Sequence, residues 1–208
     1  MIYKFKKYTP VIHKSSFVHP LASVTGNVTI GKNVFIGSGA AIRGDIGEVI
    51  IEDECNVQEN CILHMFPGMK VHLKKGAHIG HGAIIHGAQI GKNVLVGMNS
   101  VLMDNVEIGD NCIIGALSLV TDGMKIPARK VVVGNPAKII KDVSDEMLKW
   151  KIAGTAIYKQ LTEECHIYMK ETKPLRKSFE GKVKQSRLRE DPSSGGKNNY
   201  KTWKKTKS

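Results

Sequence analysis

Histidines are concentrated in one short part of this 208-residue chain. Five of the eight lie between positions 64 and 86, and three of them, His64, His81 and His86, are spaced by 17 and five residues. Three imidazoles and a water form a known catalytic zinc site, in which the metal lowers the pKa of the water to about 7. The pattern makes these three histidines candidate metal ligands. We assign no catalytic role to His72 and His78.

The elements that must position these histidines follow a six-residue repeat. Period six fits neither an α-helix nor a long amphipathic strand, but it fits short strands joined by turns, with three such units closing a triangular coil. The sequence therefore predicts an all-β solenoid, a parallel β-helix of about seven coils over residues 1–140. The aliphatic positions of the repeat are Val18, Val24, Ile30, Ile36, Ile42, Ile51, Val57, Leu63, Ile84, Ile90, Val96, Leu102, Ile108, Ile114 and Val120.

The repeat is interrupted at two places, both beside the histidines. Residues 64–78 exceed one repeat unit and contain Pro67 and Gly68, which predicts a loop outside the coil. A unit of five residues instead of six lies between positions 79 and 90. Because one coil takes about 18 residues, we expect His64 and His81 to lie one above the other, with His81 and His86 close to adjacent corners. Such departures from a regular pattern are expected at functional sites.

The four cysteines form no disulfide or metal-binding pattern. Cys55, Cys61 and Cys112 occupy the small-residue position of the repeat, where we expect a packing role. No stretch approaches the roughly 20 apolar residues of a membrane span, and residues 1–20 lack the apolar core of a signal peptide. We therefore expect a cytoplasmic protein with reduced thiols and no membrane contact.

Beyond the repeat, residues 144–172 have helical spacing and predict a helical segment that packs on the wall of the β-helix. Ser144 is a candidate helix cap, and Gly154 is a candidate break between two helices. Residues 173–208 contain 12 Lys and Arg but three Asp and Glu, so this segment carries most of the net charge of +12. We interpret it as a disordered basic tail rather than a nucleic-acid-binding segment, although Tyr200 and Trp203 could stack on bases.

Several motifs, in one order within residues 10–176, resemble the γ-class carbonic anhydrase family. The resemblance implies a left-handed β-helix and a homotrimer in which His64, His81 and His86 bind zinc, or iron or cobalt, across the interface between two subunits. The helical end is similar to the subgroup that contains the phenylacetic acid degradation protein PaaY and the carnitine operon protein CaiE. The motifs are Arg43-Gly44-Asp45, Asn56-Val57-Gln58-Glu59-Asn60, His64, residues 79–87 (IGHGAIIHG), Val96-Gly97-Met98 and Gly134-Asn135-Pro136-Ala137.

The resemblance also implies roles for residues around the metal. Arg43 and Asp45 match an interface ion pair of the family, and Asn56 and Gln58 match residues beside the metal-bound water. Glu59 stands where the family usually has aspartate. We expect its carboxylate to move a proton or to orient the water, since a carboxylate within hydrogen-bond reach of a nucleophile can do either.

PaaY-type members are associated with hydrolysis of acyl-CoA thioesters, so the resemblance predicts a thioesterase in which zinc hydroxide attacks the thioester carbonyl. A γ-type carbonic anhydrase would use the same ligands with only a small apolar pocket. A coenzyme A substrate needs a longer groove and cations such as Lys70, Lys74 or Lys75. Tyr158, on the helix, is a candidate for closing the pocket. An acyltransferase with a lone histidine as base, and a trimer that has lost catalysis, remain alternatives.

Overall fold

Twenty short strands and one α-helix make up residues 1–174, the part of the chain that the computed structural model describes. The helix, α1, spans Asp145–Tyr168. In chain order the strands are β1 (Ile2–Tyr3), β2 (Val11–Ile12), β3 (Phe17–Val18), β4 (Ser23–Ile30), β5 (Phe35–Ile36), β6 (Ala41–Ile51), β7 (Asn56–Val57), β8 (Ile62–His64), β9 (Lys70–Leu73), β10 (His78–Ile79), β11 (Ile84–His86), β12 (Gln89–Ile90), β13 (Leu95–Val96), β14 (Val101–Leu102), β15 (Glu107–Ile108), β16 (Ile113–Ile114), β17 (Leu119–Val120), β18 (Lys125–Ile126), β19 (Lys130–Gly134) and β20 (Ala137–Asp142).

The strands stack in parallel on three faces of a left-handed β-helix, with seven rungs on each face. The first face contains β1, the start of β4, the start of β6, β8, β11, β14 and β17. The second contains β2, the ends of β4 and β6, β9, β12, β15 and β18, and the third contains β3, β5, β7, β10, β13, β16 and β19. β20 closes the stack as an antiparallel partner of β19. The predicted seven coils are confirmed.

The aliphatic residues of the repeat fill the axis of the prism. Almost all of them are fully buried, and so are Cys55, Cys61 and Cys112. Burial raises the pKa of Cys55 to about 12, in keeping with a packing role. One assignment is wrong by a position: Ile85, which pairs with residues 63 and 102 on the adjacent coils, is buried, whereas Ile84 points outward.

The corners of the coils place one residue of each turn in the left-handed region of backbone conformation. Asparagine and glycine tolerate this conformation best, and they occupy most of these positions. Each lies three residues before a buried aliphatic side chain, as Gly82 does before Ile85. The asparagines are Asn33, Asn60, Asn93, Asn99, Asn105 and Asn111, and the glycines are Gly39, Gly76, Gly82 and Gly123.

Three irregularities of the repeat lie on the edge between the first and second faces, which we call the irregular edge (residues 44–47, 65–69 and 87–88). The predicted loop is shorter than residues 64–78, because Lys70–Leu73 forms a strand of the second face and Leu73 is buried. Residues 65–69 make the excursion. The five-residue unit is confirmed between Ile85 and Ile90. An insertion at residues 44–47, inside β6, was not identified from the sequence.

The helix α1 packs along the third face. Ser144 caps it, because its side-chain oxygen accepts a hydrogen bond from the backbone N–H of Met147. The suggested break at Gly154 is wrong: the helix is continuous, since buried residues on both sides of the glycine hold it on the prism. Among the described residues, no helix is both long enough and apolar enough to cross a bilayer. The predicted tail beyond residue 174 lies outside the described residues.

Candidate functional site

His64 and His86 lie side by side at the ends of β8 and β11, next to the irregular edge. They are paired residues of neighbouring strands, and their ring centroids are 5.5 Å apart. His86 Nδ1 lies 2.7 Å from Asp104 Oδ1, so the carboxylate orients the ring and leaves Nε2 available. The prediction that His64 lies over His81 is wrong, because the excursion at residues 65–69 lengthens this coil and brings His86 into that position.

Arg43 and Asp45 surround the remaining side of His64. Its Nε2 atom lies 2.8 Å from Arg43 Nη2 and 3.0 Å from Asp45 Oδ1, and Arg43 Nε lies 3.4 Å from Asp45 Oδ2. Although burial works in the opposite direction, the hydrogen bond with His64 and the charge of Arg43 lower the pKa of Asp45. Arg43 and Asp45 therefore form an ion pair within one chain, and the interface role that the resemblance implies for them stays a prediction.

His81 lies at the other end of β11 from His86, on the edge between the third and first faces. Its Nδ1 atom lies 2.6 Å from Glu59 Oε2, and both side chains are nearly half exposed. As in His86, a carboxylate holds Nδ1 and leaves Nε2 available to solvent or to another molecule. Glu59 thus orients the His81 ring, a contact that an aspartate at the same position would reach less easily.

Gln58 and Asn56 belong to the same end of the strands as His81. Gln58 Oε1 accepts a hydrogen bond of 3.2 Å from the backbone N–H of His81. Its amide nitrogen lies 3.0 Å from Asn56 Oδ1 and 2.5 Å from His78 Nε2. Burial lowers the pKa of His78 to about 3, so its ring is neutral and can accept a hydrogen bond. The sequence indicated no role for His78, although this residue pairs with Asn56 across adjacent coils.

Tyr158 covers this polar group from the helix. Its ring lies 5.4 Å from that of Phe35 and 5.2 Å, edge to face, from that of His78. Burial raises the pKa of Tyr158 to about 12, so its hydroxyl stays protonated at neutral pH. The structure therefore places Tyr158 against His78, at the His81 end of the strands, rather than over His64 and His86.

The candidate residues separate into two half-sites. We call the first the groove half-site (Arg43, Asp45, His64, His86 and Asp104) and the second the edge half-site (Asn56, Gln58, Glu59 and His81). Within residues 1–174, no three His, Cys, Asp or Glu side chains are arranged so that they could hold a metal ion. One chain therefore supplies two imidazoles at one end of the strands and the third at the other end.

An apolar surface lies between the two half-sites. The outward residues of four successive strands of the first face are aliphatic, whereas the corresponding residues of the second face, such as Gln89, Glu107 and Lys125, are polar. The edge beside His81 continues this surface with Met98 and Leu117, which are 51% and 72% exposed. The aliphatic residues of the column are Ile62, Ile84, Val101 and Leu119.

Comparisons with known proteins place this architecture in a family. The model of the bacterial transferase hexapeptide (six repeats) matches residues 9–44 and 87–122, and the hexapeptide repeat of succinyl-transferase matches residues 27–65. The carnitine operon protein CaiE of Escherichia fergusonii is 42% identical over 180 residues, which cover 86% of this chain and 92% of that protein. The chain belongs to the CaiE family of hexapeptide-repeat proteins. CaiE of Escherichia coli K12 is equally similar.

Solved structures share the fold of this chain. A Bacillus cereus protein proposed to be an acetyltransferase is 37% identical, with a TM-score of 0.77 over 78% of this chain and 95% of that chain. A hexapeptide transferase family protein from Anaplasma phagocytophilum is 27% identical, with a TM-score of 0.77 over 81% of this chain and 98% of that chain. The names of both structural relatives associate this CaiE-like fold with group transfer.

A groove of about 810 Å³ opens on the irregular edge of this CaiE family member. It shares Asp45 with the groove half-site and reaches the residue that follows His86. Of the three lysines suggested for a coenzyme A substrate, Lys70 lines the groove. Lys74 and Lys75 lie outside it, on the turn after β9, where Lys75 pairs with a glutamate. The walls of the groove include Lys6, Tyr8, Asp45, Met69, Lys70 and Gly87.

Proposed function

We propose that this protein is a metal-dependent hydrolase of acyl-CoA thioesters that assembles as a homotrimer with its sites between subunits. The observation that carries the proposal is the separation of three candidate ligands into two half-sites at opposite ends of the same strands. Each half-site has the orientation that a metal-binding histidine needs, with a carboxylate on Nδ1 of His81 and of His86. Two copies are needed to complete one set of three imidazoles.

The apolar surface between the half-sites supports this assembly. Uncovered aliphatic side chains on one face of a sheet commonly mark a protein interface. A second copy that sets its Met98 and Leu117 edge against the column of Ile62, Ile84 and Val101 also brings its own His81 toward the groove half-site. An edge of one copy meets a different surface, the aliphatic column, of the next copy. The contact is therefore head-to-tail, and three such contacts can close into a ring. Trimers are typical of hexapeptide-repeat proteins.

The three imidazoles suit a catalytic metal ion. His64 and His86 of one subunit and His81 of the partner subunit would hold it, and the ion, zinc or alternatively iron or cobalt, supplies a Lewis acid and an activated water near neutral pH. Asp104 orients His86, and Glu59 orients His81. For His64 to bind through Nε2, Arg43 and Asp45 must release that atom and keep their contact with each other.

The chain's own residues divide the remaining work. Glu59 is partly exposed beside His81, where its carboxylate can accept a proton from a water or return one to a leaving group. Gln58 is buried and has its amide oxygen and nitrogen engaged inside the chain, so we assign it to holding His81 rather than to polarising the substrate. Tyr158 keeps water away from this buried amide group.

The groove supports a thioester rather than carbon dioxide as the substrate. Its volume lies within the range of about 300–1,000 Å³ that is typical of small-molecule sites, whereas carbon dioxide would need far less room. Its lining includes Asp45 of the groove half-site and Gly87, the residue after His86, so a ligand lying in it can place its reactive end near the groove half-site. Lys6 and Lys70 line it and can face the phosphates of coenzyme A, while Met69 provides an apolar contact.

Hydrolysis of a panel of acyl-CoA thioesters by protein of known metal content, before and after chelation, tests the proposal. The panel includes acetyl-CoA, phenylacetyl-CoA and, because the CaiE relatives are named for the carnitine operon, the CoA thioester of carnitine. We expect cleavage that disappears on chelation and returns with zinc. Rapid carbon dioxide hydration by the same sample with inert thioesters would identify a γ-type carbonic anhydrase instead.

Lys70→Ala and Lys74→Ala form a matched pair that tests the groove. Each change removes one lysine with an exposed or partly exposed side chain, and the two lysines lie close together on the second face. Of these two, only Lys70 lines the groove. We expect Lys70→Ala to raise KM for acyl-CoA with little change in kcat, and Lys74→Ala to leave both unchanged. Equal effects of the two substitutions would mean that the coenzyme does not lie in this groove.

An acyltransferase is the second candidate, favoured by the 37% identical Bacillus cereus relative that is proposed to be an acetyltransferase. It would use the same thioester and the same groove, with an amine or hydroxyl acceptor in place of water. Release of free coenzyme A that depends on an added acceptor and survives chelation would identify this activity.

All four cysteines are free, which suits the reducing cytoplasm where we place the protein.

A further inference from the structure

The buried amide of Gln58 connects three parts of the molecule. It lies on the third face beneath α1, and its side chain is almost completely buried. Its oxygen accepts a hydrogen bond from the backbone N–H of His81, and its nitrogen donates to Asn56 Oδ1 and lies in contact with His78 Nε2. Every hydrogen-bonding direction of the amide nitrogen is therefore used, and the oxygen faces the main chain that carries His81.

His78 helps to hold this amide in one of its two orientations. A primary amide can rotate by half a turn, which exchanges its oxygen and nitrogen. The Gln58 oxygen faces the His81 N–H and its nitrogen donates to Asn56 Oδ1, so its second N–H points at His78 Nε2. These contacts assign the neutral His78 ring to the tautomer with its proton on Nδ1 and a lone pair at Nε2, which accepts from the amide nitrogen and would repel the amide oxygen. That arrangement directs Gln58 Oε1 toward the His81 N–H. Tyr158 packs on the edge of the His78 ring and keeps competing water out of the contact.

We propose that His78 is a positioning residue for His81, acting through Gln58. His78 holds the Gln58 amide, the amide holds the backbone of His81, and Glu59 holds the His81 ring, so the backbone and the side chain of this edge ligand are fixed separately. The inference that this matters for a ligand rests on the proposed function. The contact of Gln58 with the His81 main chain is present in the structure and does not depend on the proposed function.

Two substitutions of His78 separate its hydrogen bond from its packing. His78→Phe keeps a ring against Tyr158 but offers no acceptor, which leaves a buried N–H of Gln58 unsatisfied. His78→Gln restores an acceptor oxygen at a similar distance from the backbone. His72→Phe is the matched control, because His72 is also a strand histidine with one side-chain partner, Glu52 at 2.8 Å, but lies on the second face.

Hydrogen exchange of the His81 amide is the readout that needs no metal. In the intact oligomer we expect His78→Phe to speed this exchange at least about tenfold, and we expect His78→Gln and His72→Phe to match the unsubstituted protein. Unchanged exchange in His78→Phe would overturn the inference, as would equally fast exchange in His78→Gln. Thermal unfolding and size measurements on each variant report any general loss of structure.

Zinc affinity, measured by competition with a chromophoric chelator, is the second readout. We expect His78→Phe to weaken binding by about 10- to 100-fold, the usual effect of removing an outer partner of a metal ligand, with His78→Gln close to the unsubstituted protein. If the unsubstituted protein binds no zinc, the proposed function fails while the exchange result still decides the role of His78. If zinc binds and His78→Phe binds it equally well, positioning through Gln58 is wrong.

Discussion

Mixed oligomers of two inactive variants test the division of the site between subunits. His81→Ala removes the edge ligand of every chain, and His86→Ala removes one ligand of the groove half-site. Each variant alone forms sites with two of the three imidazoles, so each alone should lose tight zinc binding and metal-dependent activity. A mixed oligomer can contain an intact site, because the His81→Ala chain keeps His64 and His86 while its neighbour keeps His81.

The size of the recovery follows from the geometry. In a closed trimer each interface joins the groove half-site of one chain to the edge half-site of the next. A closed trimer that contains both variants has, in either composition, one interface of three in which a His81→Ala chain supplies the groove half-site and a His86→Ala chain supplies the edge half-site. We therefore expect mixed trimers to have about one third of the zinc content and activity of the unsubstituted protein.

Co-expression of the two variants with different affinity tags, followed by purification through both tags, supplies the mixed oligomers. Bound zinc per chain is measured after dialysis against a weak chelator, and thioester hydrolysis is measured on the same sample. The matched control is the mixture of His64→Ala with His86→Ala. Both substitutions fall in one half-site, so every mixed interface still lacks a ligand and no recovery is expected.

Two results would refute the reasoning. Absence of recovery in the His81→Ala and His86→Ala mixture, with mixed oligomers demonstrably present, would mean that the three histidines do not meet between subunits. Recovery in the His64→Ala and His86→Ala mixture would mean that these two histidines serve different sites, contrary to their pairing on β8 and β11.

Three further predictions concern the core, the helix and the aromatic cover. Ile85→Ala should lower the free energy of unfolding by about 2–5 kcal/mol, and Ile84→Ala should lower it by clearly less, since only Ile85 fills the axis of the prism. Denaturant titration compares the two variants, and equal losses would contradict the register. Burial lowers the pKa of Lys151 to about 7. Between about pH 7 and pH 8, below the range in which the thiols of the unfolded chain lose their protons, the unfolded chain holds a proton on Lys151 that the folded chain lacks. Stability should therefore rise with pH over this window, and a denaturant titration at several pH values should show no such rise in Lys151→Met. Tyr158→Phe should keep the metal-dependent activity and its pH profile, because the ring makes the contacts; a large loss of kcat would assign a chemical role to the hydroxyl.

Much of the fold follows from local pattern. An inward side chain every six residues must be apolar because it is excluded from water, and this requirement appears directly in the sequence. The misplaced register at Ile84 was also avoidable. A left-handed corner residue lies three positions before most of the buried aliphatic residues, and Gly82 identifies Ile85 rather than Ile84 by this spacing.

The vertical alignment of the histidines could not be obtained from an 18-residue coil. His64 meets His86 because residues 65–69 add to the coil length while Lys70–Leu73 returns to the second face. Where an excursion ends depends on which later residue enters the core, in this case Leu73. That choice is made by packing against the adjacent coils, not by the local sequence.

The continuity of α1 has a similar explanation. A glycine inside a helix costs about 1 kcal/mol relative to alanine, so Gly154 is locally a plausible break. Lys151, Thr162 and Cys165 on either side of it are buried against the prism, and their packing outweighs the cost at one position. The helix ends are set by local signals, as the Ser144 cap shows, but its continuity is set by the surface beneath it.

The sequence by itself determined the fold class, the number of coils and the identity of the candidate ligands, because periodic burial and residue chemistry are local properties. Only the tertiary structure decided how those ligands are grouped. His86 joins His64, and Gln58 and His78 join His81, because residues meet across coils whose lengths differ at the irregular edge. The separation of the two half-sites, which makes a second copy of the chain necessary for the proposed metal centre, is a property of the three-dimensional stack.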